Sequence, residues 1–417
     1  MKTKFLYLMI LFSNCFLYAN KPGTITVAAD GSGDYKTISE AVAALPVFNY
    51  GRIVILIKNG VYNEKIRIEQ DYITLKGESR EHTIIRYNQL REDWIKNQDA
   101  VGPAVINIHA DDIVLENLTI ENTQPEIGPH AFAVYGQGTR TIIVNCNVLS
   151  KGGDTVSLWD FQTGMYYHAD CYFEGAVDFV CPRGWCFIKD SEFYEVKKTA
   201  ALWHAGGFDK NQKFVLKNCS FDGVKDFELA RHHYEAQFFF IECSFSENMS
   251  DRKIYRVTYP DEPERDRVFN WGERYYFYNS SREGGNPHWA DNNLATAEGS
   301  PQPEDITPLW TFNGKWDPES KQGPAVNDYK ISDSTLTLTF NEPVTVLGLP
   351  ELKSGTGKVF KFSSGGENNI ITFTAGADFN TKDLSGLIII NDSKMIGTIA
   401  SVFEREADLD IKTNRTN

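Results

Sequence analysis

A short alternating pattern recurs six times between residues 115 and 245, and this repeat constrains the fold more than any other feature of the chain. In each copy, apolar residues flank a small polar residue or a cysteine. These central residues are Asn117, Cys146, Cys171, Ser191, Cys219 and Cys243, at spacings of 29, 25, 20, 28 and 24 residues. The alternation predicts strands, and their regular return is typical of a solenoid, while the consensus of leucine-rich repeats is missing. We therefore predict an all-β fold, a right-handed parallel β-helix.

Four cysteines occupy the central position of the repeat, and successive coils stack about 4.7–4.9 Å apart. We therefore expect Cys146, Cys171, Cys219 and Cys243 to form a buried ladder, with a structural rather than a catalytic role. Cys181 and Cys186 are close enough in sequence to pair across a turn, and whether they form a disulfide is left open. No Cys/His spacing is typical of a zinc site, so we expect no metal and no cofactor.

The two ends of the solenoid have their own signals. Residues Ile38–Leu45 are predicted to form an amphipathic helix, stopped by Pro46, that caps the open end. Composition shifts near Gly299, and short alternating strands follow beyond about Asp328. This spacing favours a C-terminal β-sandwich of immunoglobulin-like type, with a binding or spacer role. The predicted domains are a signal peptide (1–19), the β-helix (20–318) and the sandwich (319–417).

Charge and the first residues limit location and partners. The 417 residues carry a formal net charge of −14, which speaks against nucleic acid and anionic membranes as partners. An acidic polysaccharide would need a locally basic groove. Lys2 and Lys4 precede a short apolar run, with a cleavage site near Ala19, so we predict export to the periplasm or beyond. Lipid modification at Cys15 is the alternative. We expect no membrane span and a monomer.

Asp154 and Asp178 are the strongest candidates for a catalytic pair. They lie 24 residues apart, about one coil, and each follows its cysteine by seven or eight residues. Their carboxylates should therefore lie close together on neighbouring coils, where like charges raise the pKa of one of them. Such a pair lets one carboxylate attack while the other carries a proton. Arg231, about two coils later, is the cation expected to keep Asp178 ionised. The alternative is that both aspartates cap turns.

Around these residues the chain resembles the pectin methylesterase family, from about residue 24 to residue 316. The segments that carry the resemblance are Ala28–Val42, Gly60–Lys65, Ile73–Glu78, Gly153–Thr155, Gly175–Val180, Leu229–Arg231 and Phe312–Pro318, the last of which is similar to the end of bacterial members. The resemblance implies hydrolysis of galacturonate methyl esters in pectin, an acidic plant cell-wall polysaccharide. It implies Asp178 as the nucleophile, Asp154 as the acid/base and Arg231 as the group that holds Asp178.

Three positions depart from the family pattern. Gly153 stands where members have a glutamine that donates to the oxyanion, and His130 stands at a second such glutamine. His233 replaces a tryptophan that follows the family arginine. His130 or a backbone N–H is then the expected oxyanion donor, and the substrate preference is open. The aromatic residues expected to stack on sugar rings, half of them serving the fold instead, are Trp159, Phe161, Tyr166, Tyr167 and Trp185.

Two other functions compete with esterase activity. An inverting hydrolase that cleaves the polysaccharide backbone needs carboxylates about 6.5–9.5 Å apart, wider than adjacent coils give. A lyase would need calcium-ligating carboxylates beside a basic residue, and no such cluster is found in the sequence. A non-catalytic pectic-glycan-binding protein fits the missing glutamines, whereas the retained Asp154, Asp178 and Arg231 favour the enzyme.

Overall fold

The computed structural model describes residues 24–207, 209–366 and 368–411. The predicted signal peptide and Cys15 lie outside the described residues. Within these ranges, three parallel sheets of ten, eight and nine strands run side by side along one solenoid. Each strand pairs with its equivalent one coil away, as Val134 does with Ile106 and Val156. The predicted parallel β-helix is confirmed.

The chain contributes strands to the three sheets in turn as it winds around the solenoid. The first sheet comprises Thr24–Val27, Ile53–Ile57, Ile73–Gly77, Val114–Glu116, Thr141–Val144, Met165–Ala169, Trp185–Lys189, Phe214–Lys217, Gln237–Ile241 and Arg274–Tyr278. The second sheet comprises Ile66–Ile68, Ile106–Ile108, Val134–Gly136, Val156–Leu158, Val180–Pro182, Ala200–His204, Glu228–His232 and Tyr255–Arg256. The third sheet comprises Gly60–Asn63, Thr83–Tyr87, Thr119–Asn122, Asn147–Leu149, Tyr172–Gly175, Glu192–Glu195, Ser220–Gly223, Ser244–Phe245 and Ser281–Arg282.

The corner between the first and third sheets explains the repeat. One residue per coil takes a left-handed conformation there, which asparagine and aspartate tolerate best. These residues are Asn117, Asn145, Asp170, Asp190, Asn218 and Glu242, with φ between 49° and 56°. The Asn145 amide donates to the Asn117 side-chain oxygen at 2.6 Å, so Asn117 belongs to this corner. Its assignment to the cysteine position was therefore wrong by one residue, and Leu118 lies there instead.

The cysteine ladder is confirmed. Cys146, Cys171, Cys219 and Cys243 are all buried, and each thiol lies against backbone carbonyl oxygens of its own coil and the preceding one. The six cysteines of the described residues are all free thiols. Cys186 packs in the core, whereas the Cys181 thiol contacts Ser157 on the outer face of the second sheet. The structure therefore contradicts a Cys181–Cys186 disulfide, because the Cys186 thiol points into the core and the Cys181 thiol points to the outer face of the second sheet.

The capping helix is also confirmed, over Ile38–Ala43. Thr37 caps it, accepting the Glu40 N–H while the Glu40 side chain accepts the Thr37 N–H. Its apolar face is buried against the first coils. The other helices are Arg91–Lys96 and Pro308–Thr311, with 3₁₀ turns at Pro263–Arg265, His288–Ala290, Leu294–Thr296, Pro303–Asp305 and Thr381–Leu384. In the described ranges, no helix is both long and apolar enough to cross a membrane.

A separate antiparallel domain follows, as predicted. Its larger sheet has the strand order Val326–Ser332, Thr335–Phe340, Ile370–Ala375, Val359–Gly365, Glu351–Lys353 and Ile388–Ile389. A two-stranded sheet pairs Val344–Leu347 with Lys394–Gly397. These strands enclose their own apolar core, which includes Phe340, Phe360 and Phe373. The immunoglobulin-like type and the boundary at residue 318 stay predictions.

Buried polar groups join this domain to the β-helix. The Arg52 guanidinium donates to the Thr398 carbonyl oxygen at 2.9 and 3.1 Å and to the Asp112 carbonyl oxygen at 2.9 Å. The Asp112 carboxylate accepts two hydrogen bonds from Arg140 and one from the Ala400 N–H. Burial lowers the pKa of Arg52 to about 10, which leaves it charged at neutral pH. The junction is thus a network of charged groups whose hydrogen bonds are made within the protein.

Candidate active site

The two candidate aspartates lie at equivalent places on neighbouring coils. Asp154 and Asp178 each lie two residues before a strand of the second sheet, and Val156 pairs with Val180 in those strands. The Asp154 N–H donates to the Val177 carbonyl oxygen at 3.1 Å. The register predicted from the 24-residue spacing is therefore found in the structure.

Both aspartates have a left-handed backbone conformation, and the residue that is strained by it is Val177. Asp154 has a φ of 57°, and Val177 and Asp178 have φ of 45° and 59°. A β-branched residue such as Val177 rarely adopts this conformation, which costs about 1–3 kcal/mol and persists only where its surroundings impose it. Here the Val177 N–H donates to the Thr199 hydroxyl and the Asp178 N–H to the Ala200 carbonyl oxygen. The neighbouring coil therefore fixes the direction of the Asp178 side chain.

Behind this turn lies a buried carboxyl group that sequence reasoning missed. Glu195 accepts the Lys197 N–H at 2.9 Å and the Thr199 hydroxyl at 3.4 Å. Burial raises the pKa of Glu195 to about 9, so the group is protonated and neutral at pH 7. It supports Thr199, and through it Val177, without adding a charge beside Asp178.

Arg231 holds Asp178 with two parallel hydrogen bonds. Its Nε lies 2.8 Å from Asp178 Oδ1 and its Nη2 lies 2.7 Å from Oδ2. Burial raises the pKa of Asp178 to about 6; Arg231 opposes this shift and the charge of Asp154 adds to it. The predicted rise in pKa is present, but burial is its largest cause rather than the paired carboxylate. Asp178 is thus ionised at neutral pH, and the two hydrogen bonds from Arg231 fix the orientation of its carboxylate.

Asp154 is held by a different set of groups. The Ser157 hydroxyl donates to Asp154 Oδ2 at 3.1 Å, and the Trp159 indole N–H donates to the Ser157 hydroxyl at 2.7 Å. The Cys181 thiol lies 3.7 Å from the same carboxylate oxygen, and burial raises its pKa, so it is neutral. Ser157 and Cys181 were missed by sequence reasoning. The signal was available, because each lies three residues after its aspartate and the two pair across the coils.

His130 and Gly153 lie beside Asp154 in a parallel bridge. His130 Nε2 is 3.7 Å from Asp154 Oδ1, beyond hydrogen-bond distance, and half of the His130 side chain is exposed. A side chain at Gly153 would begin 3.1 Å from the Val177 carbonyl oxygen, so the site is tight there. The Gly153, Asp154 and Asp178 N–H groups all donate to carbonyl oxygens. None of these three is free to bind an oxyanion, which favours the imidazole of His130 over a backbone donor.

A second arginine in the site was not predicted. Arg183 follows the strand Val180–Pro182, and its guanidinium lies 3.8 Å from the centre of the Trp159 ring. Its Nε is buried, and within the described ranges no side chain or carbonyl group accepts a hydrogen bond from the guanidinium. Its charge acts to lower the pKa of Asp178. Arg183 is therefore an uncommitted cation close to the two aspartates.

His233 lies at the edge of this arrangement. Its ring stacks on Tyr234 at 4.0 Å and faces Trp203 at 6.3 Å. Its Nε2 is 3.5 Å from an Asp266 carboxylate oxygen, and burial lowers the pKa of the imidazole. Trp203 in turn lies 5.7 Å from the Arg231 guanidinium. His233 thus supports the surroundings of Arg231 and is turned toward Asp266.

The aromatic residues divide between the site and the fold. Trp159 lies on the side of the aspartates, because it donates to Ser157 beside Asp154, and Phe161 is partly exposed. Tyr166 is in the core, and the Tyr167 hydroxyl donates to Glu319 at 2.6 Å. Trp185 is buried on the outer face of the first sheet, so its assignment to substrate binding was wrong. The chain turns at Gly184 onto another sheet, which takes Trp185 away from Asp178 despite their short separation in sequence.

The arrangement is suited to acyl transfer without a metal ligand set. Among the described residues, no three His, Cys, Asp or Glu side chains are grouped closely enough to hold a metal ion. An ionised carboxylate fixed by Arg231 can attack, and Asp154 lies on the neighbouring coil to exchange a proton.

The family model for Pectinesterase matches residues 24–238. Pectinesterase 31 of Arabidopsis thaliana is 31% identical over 165 residues, which are 37% of this chain and 51% of that protein. This chain thus spans about half the length of that relative.

Solved structures of the same family have a similar fold. The pectin methylesterase from carrot aligns with a TM-score of 0.56 at 21% identity, over 70% of this chain and 93% of its own. A pectin methylesterase solved in complex with a hexasaccharide aligns with a TM-score of 0.55 at 22% identity, over 71% of this chain and 98% of its own. At these identities the likeness is one of fold.

Proposed function

The chain belongs to the pectinesterase family, and from this we propose that it hydrolyses the methyl esters of galacturonate residues in pectin. One observation carries the proposal above all: Asp178 is held by two hydrogen bonds from Arg231, in register with Asp154 on the next coil. Two carboxylates so placed, with one kept ionised by a guanidinium, fit the division of labour that ester hydrolysis needs.

In the proposed mechanism, ionised Asp178 attacks the carbonyl carbon of the methyl ester. The tetrahedral intermediate collapses to an acyl-enzyme anhydride as Asp154 gives its proton to the departing methanol. Asp154 then takes a proton from a water molecule, which attacks the acyl-enzyme and releases the free galacturonate. Asp178 leaves as a carboxylate and Asp154 is protonated again, so protons and bonds balance over the cycle.

His130 is proposed as the oxyanion donor, in place of a glutamine. It is half exposed on the side of Asp154, whereas the nearby backbone N–H groups are already bonded to carbonyl oxygens. Loss of such a donor elsewhere costs roughly 2.7–4 kcal/mol of transition-state stabilisation. We further propose that the protein is exported through its N-terminal signal and acts as a monomer on plant cell-wall pectin. A pectin methylesterase of the same fold was solved with a hexasaccharide bound, which supports a glycan substrate.

The test is methanol release from methyl-esterified homogalacturonan by the intact protein and by Asp178→Asn. The variant keeps the shape of the side chain and removes its charge, and asparagine tolerates the left-handed backbone there. We expect release from the intact protein and at least a thousandfold less from the variant, because the nucleophile is gone.

Asp170→Asn is the matched control. Asp170 has a φ of 55°, similar to that of Asp178, but it lies at an exposed corner of the solenoid. Its substitution should leave methanol release unchanged. Equal release from Asp178→Asn and the intact protein would exclude Asp178 as nucleophile. No release from the intact protein would contradict esterase activity on this substrate and favour the glycan-binding alternative.

A further inference from the structure

Arg183 differs from Arg231 because, in the part of the chain that the structure describes, its guanidinium has no hydrogen-bond acceptor. The Arg231 guanidinium donates to Asp178. The Arg183 guanidinium instead lies 3.8 Å from the centre of the Trp159 ring, with its Nε buried. Within the described ranges, no carboxylate or carbonyl group pairs with its guanidinium. A partly buried cation without a partner is costly unless a ligand completes it.

Trp159 and the backbone of Arg183 fix the position of the Arg183 guanidinium. Trp159 donates its indole N–H to Ser157, and Ser157 donates to Asp154, so the ring under Arg183 is tied to the proposed acid/base. The Arg183 N–H donates to the Leu158 carbonyl oxygen at 2.9 Å, which anchors the start of the side chain. The guanidinium is thus held over an indole ring, and among the described residues no acceptor takes its N–H groups, which leaves them available to an anion.

The place of Arg183 relative to Asp178 determines what this cation can bind. Asp178 precedes the strand Val180–Pro182 and Arg183 follows it, so the two side chains start from opposite ends of one short strand. The guanidinium reaches back far enough for its charge to act on Asp178, but it starts from the other end of the strand. The cation also lies over Trp159, which is linked to Asp154 through Ser157, so an anionic group beside the attacked ester would be within its reach.

We propose that Arg183, supported by Trp159, binds the free carboxylate of a uronate residue next to the one whose ester is hydrolysed. A planar guanidinium recognises a carboxylate through two parallel hydrogen bonds, and a methyl ester presents no such charge. The protein then acts by preference on partly de-esterified chains. The net charge of −14 makes a local cation necessary for any acidic chain to bind. This inference rests on the proposed function for the identity of the neighbouring sugar.

The experiment measures binding rather than hydrolysis, so that it stands apart from the test of the esterase. Calorimetry compares a de-esterified oligogalacturonate with the same oligomer fully methyl-esterified. The protein carries Asp154→Asn to prevent turnover. Asp178→Asn is unsuitable as background, because it would release Arg231 to bind carboxylates itself.

Arg183→Gln in this background should weaken binding of the de-esterified oligomer by about 10- to 100-fold, the loss expected for one charge-assisted contact. Binding of the methyl-esterified oligomer should change by less than about twofold. Arg183→Lys should bind the de-esterified oligomer with intermediate affinity, because it keeps the charge and loses the fork.

Arg252→Gln is the matched control. Arg252 also lies over an aromatic ring, that of Tyr255 at 3.6 Å, but its guanidinium already pairs with Glu228 at 2.7 Å. Its substitution should leave both affinities unchanged. Equal losses for the two oligomers in Arg183→Gln would show a merely structural role, and no loss for either, or no binding of either by the background protein, would also overturn the inference. Absence of esterase activity would leave this readout intact.

Discussion

On the outer face of the first sheet, Tyr167, Phe187 and Phe239 are buried beneath residues 294–316 and Ala400. On the outer face of the second sheet, Ser157 and Arg231 stand in the same alternation, and no segment among the described residues packs over them as an apolar layer. The same backbone repeat therefore produces a covered face on the first sheet and an open face with the candidate site on the second sheet. The outward-pointing side chains determine whether a face is covered or open.

The difference shows how a solenoid can keep a strained polar site. Aromatic packing on the covered face contributes stability that does not depend on the open face. The open face holds left-handed backbone at Val177 and Asp178 and an uncommitted guanidinium at Arg183, all of which cost free energy. Substitutions on the two faces should therefore separate activity from stability.

The largest expected effect is on the open face, at Arg231. Arg231→Gln should reduce methanol release at pH 7 by on the order of a thousandfold, because a buried carboxylate loses its partner. In the intact protein, release should fall as the pH drops through about 6, where Asp178 takes up a proton. Because Arg231 lowers the pKa of Asp178, its removal should shift this fall upward by roughly 1–3 pH units.

The matched change on the covered face is Lys189→Gln. Lys189 pairs with Glu319 at 2.7 Å, the same N···O distance as in the ion pair between Arg231 and Asp178. Its removal should leave the pH–rate profile unchanged. A shifted profile in Lys189→Gln, or an unshifted one in Arg231→Gln, would break the distinction between the faces.

Truncation of a buried ring on the covered face should come next. Phe187→Ala should lower the free energy of unfolding by about 3 kcal/mol, because it leaves a cavity beneath residues 294–316. Tyr135→Ala, a truncation of a half-buried ring on the open face, should cost about 1 kcal/mol. Denaturant unfolding measures both. The activity per folded molecule of Phe187→Ala should equal that of the intact protein, and comparable losses of stability in the two variants would contradict the comparison.

The smallest effect is expected at Ser157. Ser157→Ala removes the hydroxyl between Asp154 and Trp159 and should reduce activity about fivefold, which corresponds to a loss of about 1 kcal/mol for one hydrogen bond. Ser191→Ala is the control, since its hydroxyl accepts the Cys171 N–H inside the ladder. It should lower stability and leave kcat unchanged. A larger loss of kcat in Ser191→Ala than in Ser157→Ala would remove Ser157 from the site.

Much of the fold could be predicted, because alternation and spacing are local signals that the sequence carries directly. The cysteine ladder, the capping helix and the shared register of Asp154 and Asp178 all came from them. Alternation separates inward from outward side chains but does not say which of three outer faces is open. For this reason Trp185 was assigned to the site although its face is covered.

The remaining misses have equally physical causes. Asparagine is common both at left-handed corners and inside small-residue ladders, so Asn117 could be placed one residue out of register. Arg183 lies after a strand end, where periodicity gives no direction for a side chain. Its importance depends on the lack of a partner, which only the assembled coils show.

The junction around Arg52 and Asp112 makes the C-terminal domain part of the hydrogen bonding of the solenoid. A domain attached only by a flexible tether could be removed with little consequence for its neighbour. Here Thr398 and Ala400 complete hydrogen bonds for Arg52 and Asp112 of the solenoid. Deleting the domain would expose this guanidinium and this carboxylate to water in place of their protein partners. The solenoid should therefore have a lower free energy of unfolding without its C-terminal domain than with it.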